Sequence, residues 1–100
     1  MSATKTIQDT DTDIEFEMPG LYKVILVNDN VTPVDFVIAL LEHVFKHDAT
    51  TAETVTMQIH NEGSGVAGIY PFEIAEQKGV EATTISRQNG YPLVIKVEEE

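Results

Sequence analysis

The sequence predicts an α+β fold: a single small domain, β-α-α-β-α-β, with helices packed on one face of a three-stranded sheet, preceded by a disordered tail. Three observations predict it. The chain has 100 residues, 42% of them apolar, which is enough for one core and one domain. Short runs rich in β-branched residues at 21–27, 66–70 and 91–97 have the length and composition of strands. Between them lie segments whose apolar residues recur at helical spacing.

Residues 1–20 are rich in Thr, Asp and Glu. Their apolar members Ile7, Ile14 and Phe16 are too sparse to form a face, so this segment is expected to be a disordered acidic extension. Pro19-Gly20 punctuates its end. Leu21 to Val27 is almost wholly apolar, as a buried strand is, and Asn28-Asp29-Asn30 stops it. Thr32-Pro33-Val34-Asp35 is a helix start, with Thr32 as N-cap, Pro33 at the first helical position and Asp35 reaching back. Phe36, Val37, Leu40, Leu41, Val44 and Phe45 then define one apolar face to about residue 47.

The next segment admits two readings. Thr50-x-x-Glu53 forms another capping box and no turn signal interrupts the residues after it, as in a helix. Yet Val55, Met57 and Ile59 alternate with Thr56, Gln58 and His60, as in a strand. Gly63-Ser64-Gly65 breaks the chain, and Val66 to Tyr70 is the second strand. Pro71 opens a helix to about Gln88, with Ile74, Ala75, Ala82 and Ile85 inward and an unfavourable Gly79 inside it. Asn89-Gly90 ends that helix. Tyr91 to Val97 is the last strand, and residues 98–100 form an acidic C-terminal tail, so the core domain spans 21–97.

Charge narrows the function classes. The chain has 17 Asp+Glu against 6 Lys+Arg, a net charge of −11, and much of it lies at the two ends. The body is only mildly acidic. A nucleic-acid backbone or an anionic membrane needs a basic face, so neither is expected as a partner; a cationic ligand suits the chain better. Zero Cys excludes disulfides, thiolate metal sites and cysteine nucleophiles. With no membrane-length apolar run and no signal-peptide pattern, a cytoplasmic protein is expected.

Several motifs fail their own chemistry. Asp9-x-Asp11-x-Asp13 starts like a calcium loop but has Ile14 and Gly20 where Gly and Glu are required. Gly63-x-Gly65-x-x-Gly68 matches a dinucleotide fingerprint, yet it leads into a strand rather than opening a helix. His43 and His47 have metal-ligand spacing, with Asp48 the one further candidate. Ser64 near His60 lacks the nucleophile elbow, since Glu62 stands where Gly is needed. No cofactor is implied. What survives is Asn28-Asp29-Asn30 at the mouth between a strand and a helix start, for which spacing alone favours a capped turn, and His60 on a half-apolar segment, where a satisfied core or surface histidine is the plain alternative.

Tyr22-Lys-Val-Ile-Leu-Val-Asn-Asp-Asn-x-Thr-Pro33, Ile59-His60, Gly68-Ile-Tyr-Pro-Phe-Glu-Ile-Ala-Glu-Gln-Lys78 and Pro92-Leu93 together resemble the ClpS family. These adaptors bring N-end-rule substrates to a Clp AAA+ protease. The resemblance covers about residues 21–97, implies the β-α-α-β-α-β order and makes residues 50–61 helical. It implies no catalytic residues. It also implies a site for the free α-amino group and first side chain of a protein starting with Phe, Tyr, Trp or Leu. An ammonium offers three donors and a charge, so its site needs acceptors and negative potential. By resemblance Asn28, Asp29 and a neutral His60 supply these, with Asn30 and Thr32 beside them. Val34, Val37, Thr56, Ile59 and Leu93 surround the side-chain pocket. Glu73 and Lys78 face the N-terminal domain of a ClpA- or ClpC-type unfoldase, and the tail takes part in substrate delivery.

Three positions depart from the family pattern. Asn30 stands where a second Asp is usual, and Val34 and Thr56 stand where Met is common. The departures imply a wider, slightly polar pocket that prefers aromatic first residues to Leu. A competing class is an interaction domain of ribosomal-stalk type, which shares the fold but has no small pocket. The discriminator is whether Asn28, Asp29 and His60 converge on one cavity.

Overall fold

In the computed structural model, which describes residues 20–100, the elements are, in order, β1 (Leu21–Val27), α1 (Val34–His43), α2 (Ala49–Glu62), β2 (Ser64–Pro71), α3 (Phe72–Gln88) and β3 (Val94–Glu99). The expected disorder of residues 1–20 and the Asp9-x-Asp11-x-Asp13 run lie outside the described residues, Gly20 apart. The sheet is antiparallel with order β2-β1-β3, so the most apolar strand is central and hydrogen-bonded on both sides.

Alternation sorts β1 into two faces. Val24 and Leu26 point inward with no exposure, opposite Val97 and Ile95 of β3. Lys23 and Ile25 point outward, opposite Glu98 and Lys96. A bulge in β2 shifts the register between Val24 and Ile25, whose partners are Gly68 and Val66. Helix α3 lies against all three strands, α2 packs on β2, and α1 packs on α2. The core joins Val24, Leu26, Leu40, Leu41, Val44 and Leu93 between these layers. Burying a side chain such as Leu41 completely contributes about 1.5–3 kcal/mol.

Several boundaries differ from the sequence reading, each for a local reason. Helix α1 stops at His43 rather than near residue 47, and Lys46 comes soon after with φ 62, the left-handed region that cannot continue a helix. Val44 and Phe45 still complete the apolar face as buried residues of the turn. Asp48, not Thr50, caps α2 by accepting from Thr51 N at 2.8 Å. Strand β3 begins at Val94 and runs on to Glu99 instead of ending at Val97, because Glu98 and Glu99 pair with Lys23 and Tyr22. On α3, Ile74 is exposed while Ser86 is buried, its hydroxyl donating to Ala82 O at 2.8 Å. Gly79 has a structural reason: a Cβ there would sit 3.1 Å from Val97 Cγ2, so its absence lets α3 approach β3 closely.

Candidate functional site

The end of β1 and the end of α2 are tied together. Asn28 N donates to Gly63 O at 2.9 Å, and Gly63 closes α2 in the left-handed conformation (φ 92). Next along the chain, Asp29 builds the loop. Its Oδ1 accepts from Val31 N at 2.8 Å and Thr32 N at 2.7 Å, and its Oδ2 accepts from Thr32 Oγ1 at 2.8 Å. Thr32 is not the N-cap of α1: the helix starts one residue too late for it, and its hydroxyl donates to the Asp29 carboxylate. Pro33 occupies the cap position, and neither its side chain nor Asp35 reaching back supplies a capping bond.

Residues 50–61 are helical. The buried members of α2 are Ala52, Thr56 and Ile59, a stripe at i, i+4 and i+7, and His60 lies beside them in the last turn. A close approach beneath Ile59 sets this wall: a Cβ on Gly65 would lie 2.8 Å from Ile59 Cγ1. Only a residue without a side chain lets β2 and Ile59 meet there.

Between these pieces opens a cleft of about 460 Å³. Asn28, Asp29, Asn30 and His60 line it on the polar side, and Val34, Val37, Thr56 and Ile59 on the more apolar side. Thr32 lines it too. The residues that the sequence singled out 30 positions apart thus share one cavity, which is the arrangement a stalk-type domain without a pocket would lack.

Among the described residues Asp29 is the only carboxylate in the lining, and none is a Lys or Arg. Burial would raise its pKa, but the N–H groups of Thr32 and Val31, the Thr32 hydroxyl and the nearby Arg87 charge outweigh it and hold the carboxyl below its ordinary value. The cleft therefore keeps a negative charge at neutral pH. Chemically, this is a cavity with acceptors and a carboxylate at its rim and apolar surface within. Among the described residues no group of three His, Asp or Glu side chains could hold a metal. His47 instead hydrogen-bonds the Ala67 carbonyl through Nε2. No described helix is long and apolar enough to cross a membrane.

The sequence matches the family described as ATP-dependent Clp protease adaptor protein ClpS over residues 17–96. The chain belongs to the ClpS family. It is similar to the ATP-dependent Clp protease adapter protein ClpS of Shewanella halifaxensis, 45% identical over 101 residues and 99% of each chain. It is likewise similar to that of Nautilia profundicola, 45% identical over 96 residues, covering 96% of this chain and 97% of the relative. Among solved structures, Agrobacterium tumefaciens ClpS2 bound to L-phenylalaninamide matches with a TM-score of 0.81 and 41% identity, covering 83% of this chain and all of that one. The chain is thus an adaptor of the Clp protease and not an enzyme.

Not every expected residue of this ClpS domain reaches the cleft. Leu93 is only 1% exposed, a core residue at the foot of β3 and not part of the lining. As an apolar side chain beside the inward-facing strand residues, it is more stable inside. Glu73 is exposed in the first turn of α3, away from the cleft. Lys78 is half-buried: its ammonium donates to Val44 O at 2.8 Å and lies 5.5 Å from the centre of the Tyr70 ring. That carbonyl lies at the C-terminus of α1, where a cation is favoured. Sequence reasoning missed Val31 and Pro33, which also line the cleft. It missed Arg87 as well, which donates to Tyr91 O at 3.0 Å and Leu93 O at 2.8 Å and adds positive potential near Asp29. An apolar Val31 within a polar loop was the signal available for the first; nothing in the sequence marked Arg87.

Proposed function

We propose that the cleft binds the free α-amino group and bulky hydrophobic first side chain of N-degron proteins, and that the chain delivers them to a Clp unfoldase of ClpA or ClpC type. The observation that carries this is the convergence of Asn28, Asp29 and His60 with Val34, Val37 and Ile59 in one cavity. In this reading the Asn28 amide oxygen and a His60 ring nitrogen accept from the ammonium. Asp29, occupied with its own loop, supplies charge and holds Val31 and Thr32 in place. The ligand of the solved relative, L-phenylalaninamide, has this chemistry: an unblocked α-amine, a benzyl side chain and a carbonyl where a peptide would continue.

The energies suffice. Burying a Phe or Leu side chain is worth ~1.5–3 kcal/mol. Each hydrogen bond from a charged group adds up to ~1.5–3 kcal/mol. After association costs of several kcal/mol, micromolar affinity is within reach. Val34, 44% exposed at the cleft, is shorter and stiffer than Met, and Thr56 makes the wall slightly polar. Both features support a preference for Phe, Tyr and Trp over Leu.

For unfoldase docking the α3 surface around exposed Glu73 is the better candidate, because the Lys78 charge is already committed to α1. The deciding test is fluorescence anisotropy with a Phe-first peptide and its Nα-acetylated twin. Acetylation removes the charge and two donors, so at least a roughly 100-fold loss of affinity is expected. Equal binding of the two would defeat the reading, and a Leu-first peptide binding as tightly as the Phe-first one would remove the aromatic preference.

A further inference from the structure

Three hydroxyls on α2 and α3 make an instructive set. Thr54 Oγ1 donates to Thr50 O at 3.0 Å and Ser86 Oγ donates to Ala82 O at 2.8 Å, the ordinary way for a helical hydroxyl to satisfy itself. Thr56 is different. It is 2% exposed and lines the cleft, and its Oγ1 is the one buried side-chain polar atom without a hydrogen-bond partner among the described residues. Buried polar groups are nearly always paired, so an unpaired one beside a cavity points to a partner that arrives with the ligand.

Position says which part of the ligand that is. Thr56 precedes His60 by four residues, so it lies about one helical turn, ~5 Å, from the group assigned to the α-amine. A first side chain that extends away from the amine along α2 passes this turn of the helix. An aliphatic or phenyl side chain brings no polar atom there. A phenol brings one that can both donate and accept, as can the threonine hydroxyl.

We propose that Thr56 is a specificity-determining residue whose hydroxyl pairs with the phenol of a tyrosine first side chain and ranks Tyr above Phe. This rests on the cleft being the N-degron site. One neutral hydrogen bond then corresponds to a preference of about 3–10-fold.

The test uses the full chain, peptides identical except for Phe, Tyr or Leu at residue one, and the variants Thr56→Val and Thr56→Ser. Wild type is expected to bind Tyr about 3–10-fold more tightly than Phe. Thr56→Val, which keeps the shape, should erase or invert that ratio. Thr56→Ser should keep Tyr ahead. A wild type that binds Phe as tightly as Tyr overturns the proposal without any variant, as does a ratio that Thr56→Val leaves unchanged. If no free-amine peptide binds at all, the site reading falls and this inference with it; binding of Phe and Leu without a Tyr advantage removes only the role of Thr56.

Discussion

The two ends of α1 treat their polar groups in opposite ways. At the C-terminal end the Val44 carbonyl is taken by Lys78, the Lys78 charge lies over Tyr70, and His47 is bonded to the Ala67 carbonyl. At the N-terminal end Pro33 provides no side-chain cap, and the Asn28 amide and His60 ring line a cleft without a described protein partner. One end is spent on holding the fold, and the other keeps its hydrogen-bonding capacity for something else. The lesson is that a polar residue's type says little about its role until its partners are counted.

Substitutions at the open end should therefore change binding with little change in stability. The largest effect is expected from Asn28→Ala combined with His60→Ala, which removes two acceptors for a charged donor. Peptide affinity should fall about 100-fold or more by anisotropy, while unfolding free energy stays within about 0.5 kcal/mol. A loss of several kcal/mol in stability would erase the contrast. Gly65→Ala probes the wall between the ends: with Ile59 Cγ1 at 2.8 Å from the new methyl, the helix must shift, costing about 1–3 kcal/mol by denaturant midpoint.

Lys78→Met tests the closed end. It leaves a C-terminal carbonyl of α1 without its donor, so stability should fall by about 1–2 kcal/mol while affinity for a Phe-first peptide changes less than about twofold. The smallest effect is expected of Asp29→Asn. Asn can still accept from Val31 N and Thr32 N, so the backbone bonds of the loop survive; the charge goes, and with it the acceptor for the Thr32 hydroxyl, weakening free-amine binding about 3–10-fold. Its pH signature has a definite sign. The folded-state pKa of Asp29 is lowered, so its stabilising contribution is full above the unfolded value near ~3.9 and lost as pH falls through the lower folded value. The stability gap between wild type and Asp29→Asn should be flat at neutral pH and close only in acid, as read by thermal melts.

Much of the fold was legible because pattern and burial agree. The apolar run of β1 is the central strand, and Pro71 to Asn89 is bounded by the helix signals that its residues carry. The one segment with two sequence readings borders the cleft. The buried stripe Ala52, Thr56, Ile59 has a polar residue in its middle, which breaks the helical period and leaves Val55, Met57 and Ile59 alternating with polar neighbours as a strand would. Met57 is in fact exposed. Thr32 looked like a cap because spacing cannot show that a carboxylate three residues earlier will bind it. Lys78 looked like a free surface charge because its partner lies 34 residues away and is a main-chain oxygen. In the sequence Asn28-Asp29-Asn30 is a polar group that a capped turn would explain, and Asp29 does serve such a turn; that the group meets His60 in one cavity depends on α2 folding back beside β1.

The bond from Asn28 N to Gly63 O, just beyond the Val27–Ser64 pair of the ladder, joins the two strips of backbone that carry the rim. A rim locked in this way is organised before any guest arrives, so little freedom remains to be frozen on docking. Recognition at such a place should proceed as a rapid fit between rigid shapes, with selectivity written in how fast guests leave.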